Sequence, residues 1–393
     1  MIILHRPEFL ERNEEVVISS TILIDDKTDE LWFKLPTCFS KSIVTERLDA
    51  FTVAVLFYAL EHHKDIHVKG EISQRLLHNL NNYLIDALCL SNSHFKKIKI
   101  TSDYVSGSNL CNQNVGATGI SCGVDSFSTF FKHFQEDKPF KIEYLTFFNV
   151  GSHGDFGGEK ARRIFKERFE QAKEFAKDIN LPIIKVDSNL SEFLKLNFLQ
   201  TNTLRNVACI LLLQKAIKNY YLASKNRYDF FKLNPKDNQD FDTLLLPLLS
   251  TESTTIHSAV SNLKRTERTL FISEFPLTYK HLDVCTNPNA SINKNNCSVC
   301  SKCMRTQLTF DLYGRLSLYE PVFHLEKYFG MRDSYIAQVY NSRNLDPFSI
   351  DLFELIKEKN ALKPKHIVLA KYIVLKNAYT AIKKNVKKTL NRK

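Results

Sequence analysis

The alternation of apolar and polar positions changes character near residue 112. Before it, "EEVVISSTILID" (14–25) and "ELWFKL" (30–35) read as strands. "RLDAFTVAVLFYALEHH" (47–63) and "SQRLLHNLNNYLIDAL" (73–88) read as helices, and a short "DIHVKG" (65–70) separates them. This mixture predicts an N-terminal α+β domain over 1–111. It holds no catalytic constellation, and His62 and His63, beside a helix end, read as surface or capping side chains.

From 112 to 306 strands and helices alternate, which predicts βαβ units around a parallel sheet. "IEYLTFFNV" (142–150) is nearly continuously apolar, as a strand covered on both faces is. In "GGEKARRIFKERFEQAKEFAKDI" (157–179), Ala161, Ile164, Phe165, Ala172, Phe175, Ala176 and Ile179 form a helical stripe. "LPIIKV", "TLRNVACILLLQKAI" and "NYYLAS" supply the next strand, helix and strand. After Cys303 the pattern is helical, broken near Pro321, Pro347 and Pro364, which predicts a C-terminal helical region over 307–393.

With 393 residues, 44% of them apolar, the chain can fill real cores. The net charge of +11 is concentrated at the end: "AIKKNVKKTLNRK" holds six cations and no acid, leaving +5 for the rest. Such a tail can meet RNA or an anionic membrane, but no aromatic residue interleaves with these lysines to stack on bases, so a nucleic-acid partner is not favoured. No apolar run reaches the roughly 18 residues of a membrane span, and the charged start "MIILHRPEFLERNEE" is unlike a signal peptide, so a cytoplasmic protein is expected.

The chemistry starts at "NVGATGISCGVDSFSTFFKHF". A strand is predicted to end near Ile120, and Phe127, Phe130, Phe131 and Phe134 mark the buried face of a helix beginning near Asp125. A turn from a strand's carboxyl end into a helix's amino end offers backbone N–H groups and a positive dipole end to an anion. Ser121 and Ser126 add hydroxyls, and Gly123 permits close approach of a ligand. Asp125 suits a bridging Mg²⁺, or caps the helix.

"SCGVDS" resembles the Ser-Gly-Gly-x-Asp-Ser loop of the PP-loop ATP pyrophosphatase superfamily, with the resemblance covering about residues 112–306. The resemblance implies an adenine nucleotide alpha-hydrolase-like (HUP) parallel-sheet core, cleavage of ATP between the α and β phosphates, and phosphate contacts from Ser121, Cys122, Gly123, Val124, Asp125 and Ser126. Cys122 stands where the family has glycine; with φ < 0 there a cysteine fits as a passive thiol, the expected reading, and the alternative is a thiolate activated by the helix terminus.

Nine cysteines in a long chain are more naturally thiols or metal ligands than a disulfide framework. Cys285, Cys297, Cys300 and Cys303, spaced C-x11-C-x2-C-x2-C, predict a tetrahedral Zn²⁺ site, with a redox or disulfide role and an iron–sulfur cluster as alternatives. Cys38, Cys89, Cys111 and Cys209 fall outside this pattern.

A PP-loop domain followed by such a zinc knob is specifically similar to the 7-cyano-7-deazaguanine synthases and their paralogues. That similarity implies ATP, Mg²⁺ and Zn²⁺, adenylation of a carboxylate, and attack by ammonia or an amine. "TLRNVACILL" resembles the synthases' Arg-Asn segment and implies that Arg205 and Asn206 face nucleotide or substrate. Asn149 and Gly151 in "FFNVGSHG", and Ser224 in "YYLASKN", are expected beside adenine and ribose. His153 is either a site base or an exposed loop histidine. Lys264, Arg265 and Arg268 are cations that can meet departing pyrophosphate, with Arg265 the first choice and Asp125, Ser126 and Arg205 the other expected catalytic residues.

The expected activity is therefore AMP- and pyrophosphate-forming activation of a small-molecule carboxylate with C–N bond formation. ATP-dependent tRNA thiolation, or a non-catalytic ATP-binding regulatory or assembly role, are the alternatives. About 110 residues before the loop and 90 after the zinc site exceed what the synthases need, which fits a paralogue with another substrate.

Overall fold

A computed structural model describes residues 1–285 and 294–390. The strands, in chain order, are β1 (Ile2–Leu4), β2 (Glu8–Arg12), β3 (Glu15–Ile24), β4 (Lys27–Pro36), β5 (Ile66–Ser73), β6 (Ile100–Ser106), β7 (Val115–Gly119), β8 (Ile142–Asn149), β9 (Ile183–Ser188), β10 (Ile217–Ala223) and β11 (Thr255–Ala259). The helices are α1 (Asp49–Glu61), α2 (Gln74–Asn79), α3 (Ile85–Ser91), α4 (Val124–His133), α5 (Glu159–Asp178), α6 (Leu190–Leu194), α7 (Phe198–Leu212), α8 (Asp242–Leu248), α9 (Arg265–Ile272), α10 (Thr278–His281), α11 (Ser301–Leu312), α12 (Leu325–Ser342), α13 (Pro347–Glu358) and α14 (Pro364–Leu390).

Among the described residues these elements form an α/β structure whose eleven strands belong to one mostly parallel sheet, ordered β11-β10-β7-β8-β9-β4-β3-β1-β5-β6, with β2 beside β3. Two parallel blocks flank an antiparallel centre. In one, β11, β10, β7, β8 and β9 are all parallel. In the other, β1, β5 and β6 are parallel. The hairpin β3–β4 joins them, antiparallel to β1 on one side and to β9 on the other, where Phe33 faces Ser188 and Lys34 faces Asp187.

Alternation explains the hairpin. Val16, Ile18 and Ile22 of β3 and Leu31, Phe33 and Leu35 of β4 are buried, while Val17, Ser19 and Thr21, and Trp32 and Lys34, between them are more exposed. The β7–β9 block is covered by helices whose stripes were legible. Phe127 and Phe130 of α4 meet Phe175 of α5 edge-on, with centroids 4.9 and 5.5 Å apart. Ala161, Phe165, Ala172, Phe175 and Ala176 are buried along α5.

The chain divides into two compact units, one of residues 1–121 and 125–262, the other of Cys122–Val124 and 263–393. The second is helical around α11, with Tyr319 stacked on Phe310 at 3.9 Å and its hydroxyl 2.8 Å from the Thr278 hydroxyl. Pro347 and Pro364 open α13 and α14, where proline costs no helix hydrogen bond. Among the described residues no helix is long and apolar enough to cross a membrane.

Candidate functional site

The order β9-β8-β7-β10-β11 runs third, second, first, fourth, fifth by position in the chain. From β7 the chain steps outward through β8 and β9, then returns to β7's other side as β10. Such a reversal leaves a crevice at the carboxyl ends of the two diverging strands, the place where open α/β sheets take ligands. β7 ends at Gly119 and β10 at Ala223, so residues 120–126 and Ser224 stand at that crevice.

The loop after β7 turns sharply. Ile120 still donates to the Thr146 carbonyl at 3.0 Å. Ser121 is exposed, and its Oγ donates to Ser126 Oγ at 3.3 Å; Ser126 and Asp125 lie in the first turn of α4, buried and half-buried.

Between them Cys122 adopts φ 57°, so the condition of φ < 0, under which a cysteine fits there without strain, is not met. In this left-handed region a Cβ crowds the following carbonyl at about 1–2 kcal/mol, a cost glycine avoids. The cysteine therefore occupies a glycine-like backbone position. Its side chain is almost fully buried, and its carbonyl accepts the Asp283 N–H at 2.8 Å. Burial, reinforced by the Asp283 carboxylate, raises the thiol well above its ordinary value, the opposite of activation by a helix terminus. The side chain is a protonated thiol.

At the edge of β8, Asn149 is buried and donates to Asp187 Oδ1 at 2.7 Å, while Arg162 Nε lies 3.4 Å from Asp187 Oδ2. Gly151 has φ 118°, and a Cβ there would fall 2.7 Å from Arg205 Nη1, so both backbone and space require glycine. Arg205, 1% exposed, donates Nη1 to the Val150 carbonyl and Ser191 Oγ, each at 3.0 Å, and Nη2 to the Leu196 carbonyl at 2.8 Å. Burial pulls its pKa down to about 10, which leaves it cationic at neutral pH. In this arrangement Arg205 positions the loop after β8: Nη1 and Nη2 hold those acceptors, while Nε has no hydrogen-bond partner among the described residues.

Asn206 donates Nδ2 back to the Asn202 carbonyl and Oδ1, at 2.8 and 2.6 Å. Ser224, buried at the end of β10, donates Oγ to the Asn226 carbonyl at 2.6 Å. Next to it Lys225 Nζ is 2.7 Å from both Asp237 and Asp240. His153 is not an exposed loop residue. Its ring packs on Phe147 and Phe165 at 5.5 and 5.3 Å, and burial lowers its pKa to about 4, so it is neutral and weakly basic.

Arg265 belongs to the second unit. It opens α9, donates its N–H to Asp351 Oδ2 at 3.2 Å and lays its guanidinium over Phe348 at 5.6 Å. Lys264 Nζ pairs with Glu354 at 2.6 Å, and Arg268 is buried.

The four cysteines of the expected zinc knob do converge. All four Sγ atoms lie within 4.8 Å of one another, with Cys297–Cys303 at 3.8 Å and Cys300–Cys303 at 3.4 Å. Zn–S bonds of about 2.3 Å in a tetrahedron put sulfurs about 3.8 Å apart, so the set can hold a metal ion such as zinc. None of the four is in a disulfide. The Cys300 N–H points at Cys297 Sγ at 3.3 Å, the amide support a thiolate ligand wants. Buried Asn296 joins the two ligand segments, accepting the Val284 N–H at 2.8 Å and donating to the Leu282 carbonyl at 2.8 Å.

Two residues at these sites escaped sequence reading. Asp187, one residue before the end of β9, faces Asn149 across the β8–β9 pairing, a position its strand could have flagged. Asp283 meets Cys122 across a separation that carries no local signal.

No family model, no curated protein and no solved structure matches this chain.

Proposed function

We propose that this chain is an ATP-dependent enzyme of the PP-loop pyrophosphatase type, activating a small-molecule carboxylate by adenylation before attack by ammonia or an amine. One observation carries the reading: "SCGVDS" (121–126) follows β7, the strand from which the parallel block turns to opposite sides. Phosphates favour this position because the backbone there ends a strand and opens a helix. The left-handed backbone at Cys122, where the resembling loops have glycine, adds support.

In the proposed reaction a substrate carboxylate oxygen attacks the α-phosphorus of ATP. The bond from that phosphorus to the α–β bridging oxygen breaks, and pyrophosphate leaves with the bonding electrons. Ammonia then adds to the acyl carbon of the adenylate, AMP departs, and the nitrogen loses a proton to give the amide; a synthase-like second activation would yield the nitrile. The hydroxyls of Ser121 and Ser126 and the backbone at the start of α4 hold phosphate oxygens by hydrogen bonding. The Asp125 carboxylate, half-buried in the first turn, would be the residue to hold Mg²⁺ beside the phosphates. Mg²⁺, when bound, offsets charge on the phosphates. Arg205 keeps the loop after β8 in place, and zinc in the four-cysteine cluster is structural. The protonated, buried Cys122 speaks against the thiolation alternative, which needs a thiolate.

The test is product analysis. Purified protein with ATP labelled at the α-phosphate and a pool of carboxylates should release AMP and pyrophosphate, and Ser126→Ala should lower AMP formation by more than about tenfold. ADP as the main product, or no substrate-dependent pyrophosphate release across the pool, would refute the reading.

A further inference from the structure

The last helix leaves an apolar seam uncovered. α14 packs against α12 through buried His366 and Ala370; Asn341 Nδ2 donates to the Ala370 carbonyl at 2.9 Å, and His366 Nε2 lies 2.9 Å from Asp333. On the opposite side, Val368, Tyr372, Leu375 and Tyr379 are 69, 58, 69 and 68% exposed. At about 100° per residue these four fall within about 60° of one another, roughly half a turn from the packed face.

Their spacing is four, three, four, and the sequence continues it at Ile382 and Val386. This is the a/d repeat of a coiled coil. Val374, 53% exposed, lies off this stripe; the stripe itself is narrow, whereas helices that lie in a membrane interface carry a broad apolar face. In this register Tyr372, Tyr379 and Val386 are a positions and Val368, Leu375 and Ile382 are d positions. Lys376 and Lys383 then sit at e, and Lys371 at g.

Charge decides the occupant. α14 carries seven lysines and no acidic residue. Two parallel copies would set Lys371 against Lys376 of the other chain, and two antiparallel copies would bring their e-position lysines together, so pairing with itself is opposed in both directions. We propose that the outer face of α14 is a docking seam for an amphipathic helix of an acidic partner protein, with apolar residues at a and d and Glu or Asp at e and g. The seam supplies apolar burial, and its flanking lysines select the sign of the partner.

The test uses the full chain and two labelled synthetic helices of about three heptads, both with Ile at a and Leu at d, one with Glu and one with Lys at e and g. Fluorescence anisotropy should show the Glu helix binding at least about tenfold more tightly at low salt, with the gap narrowing as salt is added. Leu375→Asp combined with Tyr379→Asp should weaken that binding by about tenfold or more, while Lys371→Glu combined with Lys376→Glu should reverse the preference between the helices. Equal binding of both helices, binding of neither, or no effect of the Asp pair would overturn the proposal. So would self-association of the wild type that the Asp pair abolishes, or sedimentation with phosphatidylserine vesicles that the Asp pair abolishes while neither helix binds.

Discussion

The backbone carbonyl of Cys122 accepts the Asp283 N–H at 2.8 Å, tying the middle of the candidate phosphate loop to the residue two before the first cysteine of the metal cluster. The same Asp283 carboxylate helps burial keep the Cys122 thiol protonated. One residue so holds the backbone, and reinforces the effect of burial on the thiol, at a position where a cysteine side chain is unexpected.

Cys122→Gly removes a Cβ from a left-handed backbone position and also removes a buried thiol. Relief of about 1–2 kcal/mol of strain opposes the lost burial and the greater freedom of unfolded glycine, so stability should change by less than about 1 kcal/mol in urea titration. AMP formation should persist. Turnover abolished with ATP binding intact would show that the thiol acts in the chemistry.

The metal cluster should carry about one zinc per chain by elemental analysis. Cys297→Ser with Cys300→Ser should lose it, and a chelator should unfold the helical unit as seen by circular dichroism, because four crowded thiols have no favourable packing without the ion. Iron in place of zinc, or full stability after chelation, would contradict a structural zinc.

Arg205→Ala would strand the carbonyls of Val150 and Leu196 and the Ser191 hydroxyl in a dry environment. The expected cost is about 3–5 kcal/mol in urea titration, with Arg205→Lys recovering only part of it since an ammonium cannot span all three acceptors. A loss of catalysis at unchanged stability would show instead that Arg205 contacts the nucleotide.

Asp242 gives a pH signature. Burial raises its pKa from 3.8 to about 8; Oδ1 accepts the Thr203 hydroxyl at 2.5 Å, and Oδ2 has no hydrogen-bond partner among the described residues. A folded-state pKa above the unfolded one means the native state binds the proton more tightly. Its stabilising contribution is complete below about pH 4 and is lost as pH rises through about 8, with a slope of up to about 1.4 kcal/mol per pH unit between. Asp242→Asn, which mimics the protonated acid, should flatten that decline and be more stable than the wild type at pH 8. Parallel profiles for the two proteins would contradict a neutral Asp242.

Much of this protein was legible in one dimension because the signals are local. The phenylalanine face of α4, the stripe of α5, the strand-to-helix step at 120–126 and the cysteine spacing each follow from residues a few positions apart, where backbone geometry fixes which side chains share a face or a ligand shell. Three features needed the tertiary structure. The pairing of β4 with β9 joins segments about 150 residues apart, and no hairpin or crossover pattern announces it. The return of β10 to the free side of β7, which makes the crevice, is a choice among sheet orders that the same βαβ pattern leaves degenerate. The left-handed turn at Cys122 and the burial of Arg205 depend on distant carbonyls and amides, and hydrogen bonds across such separations leave no periodic trace in a sequence.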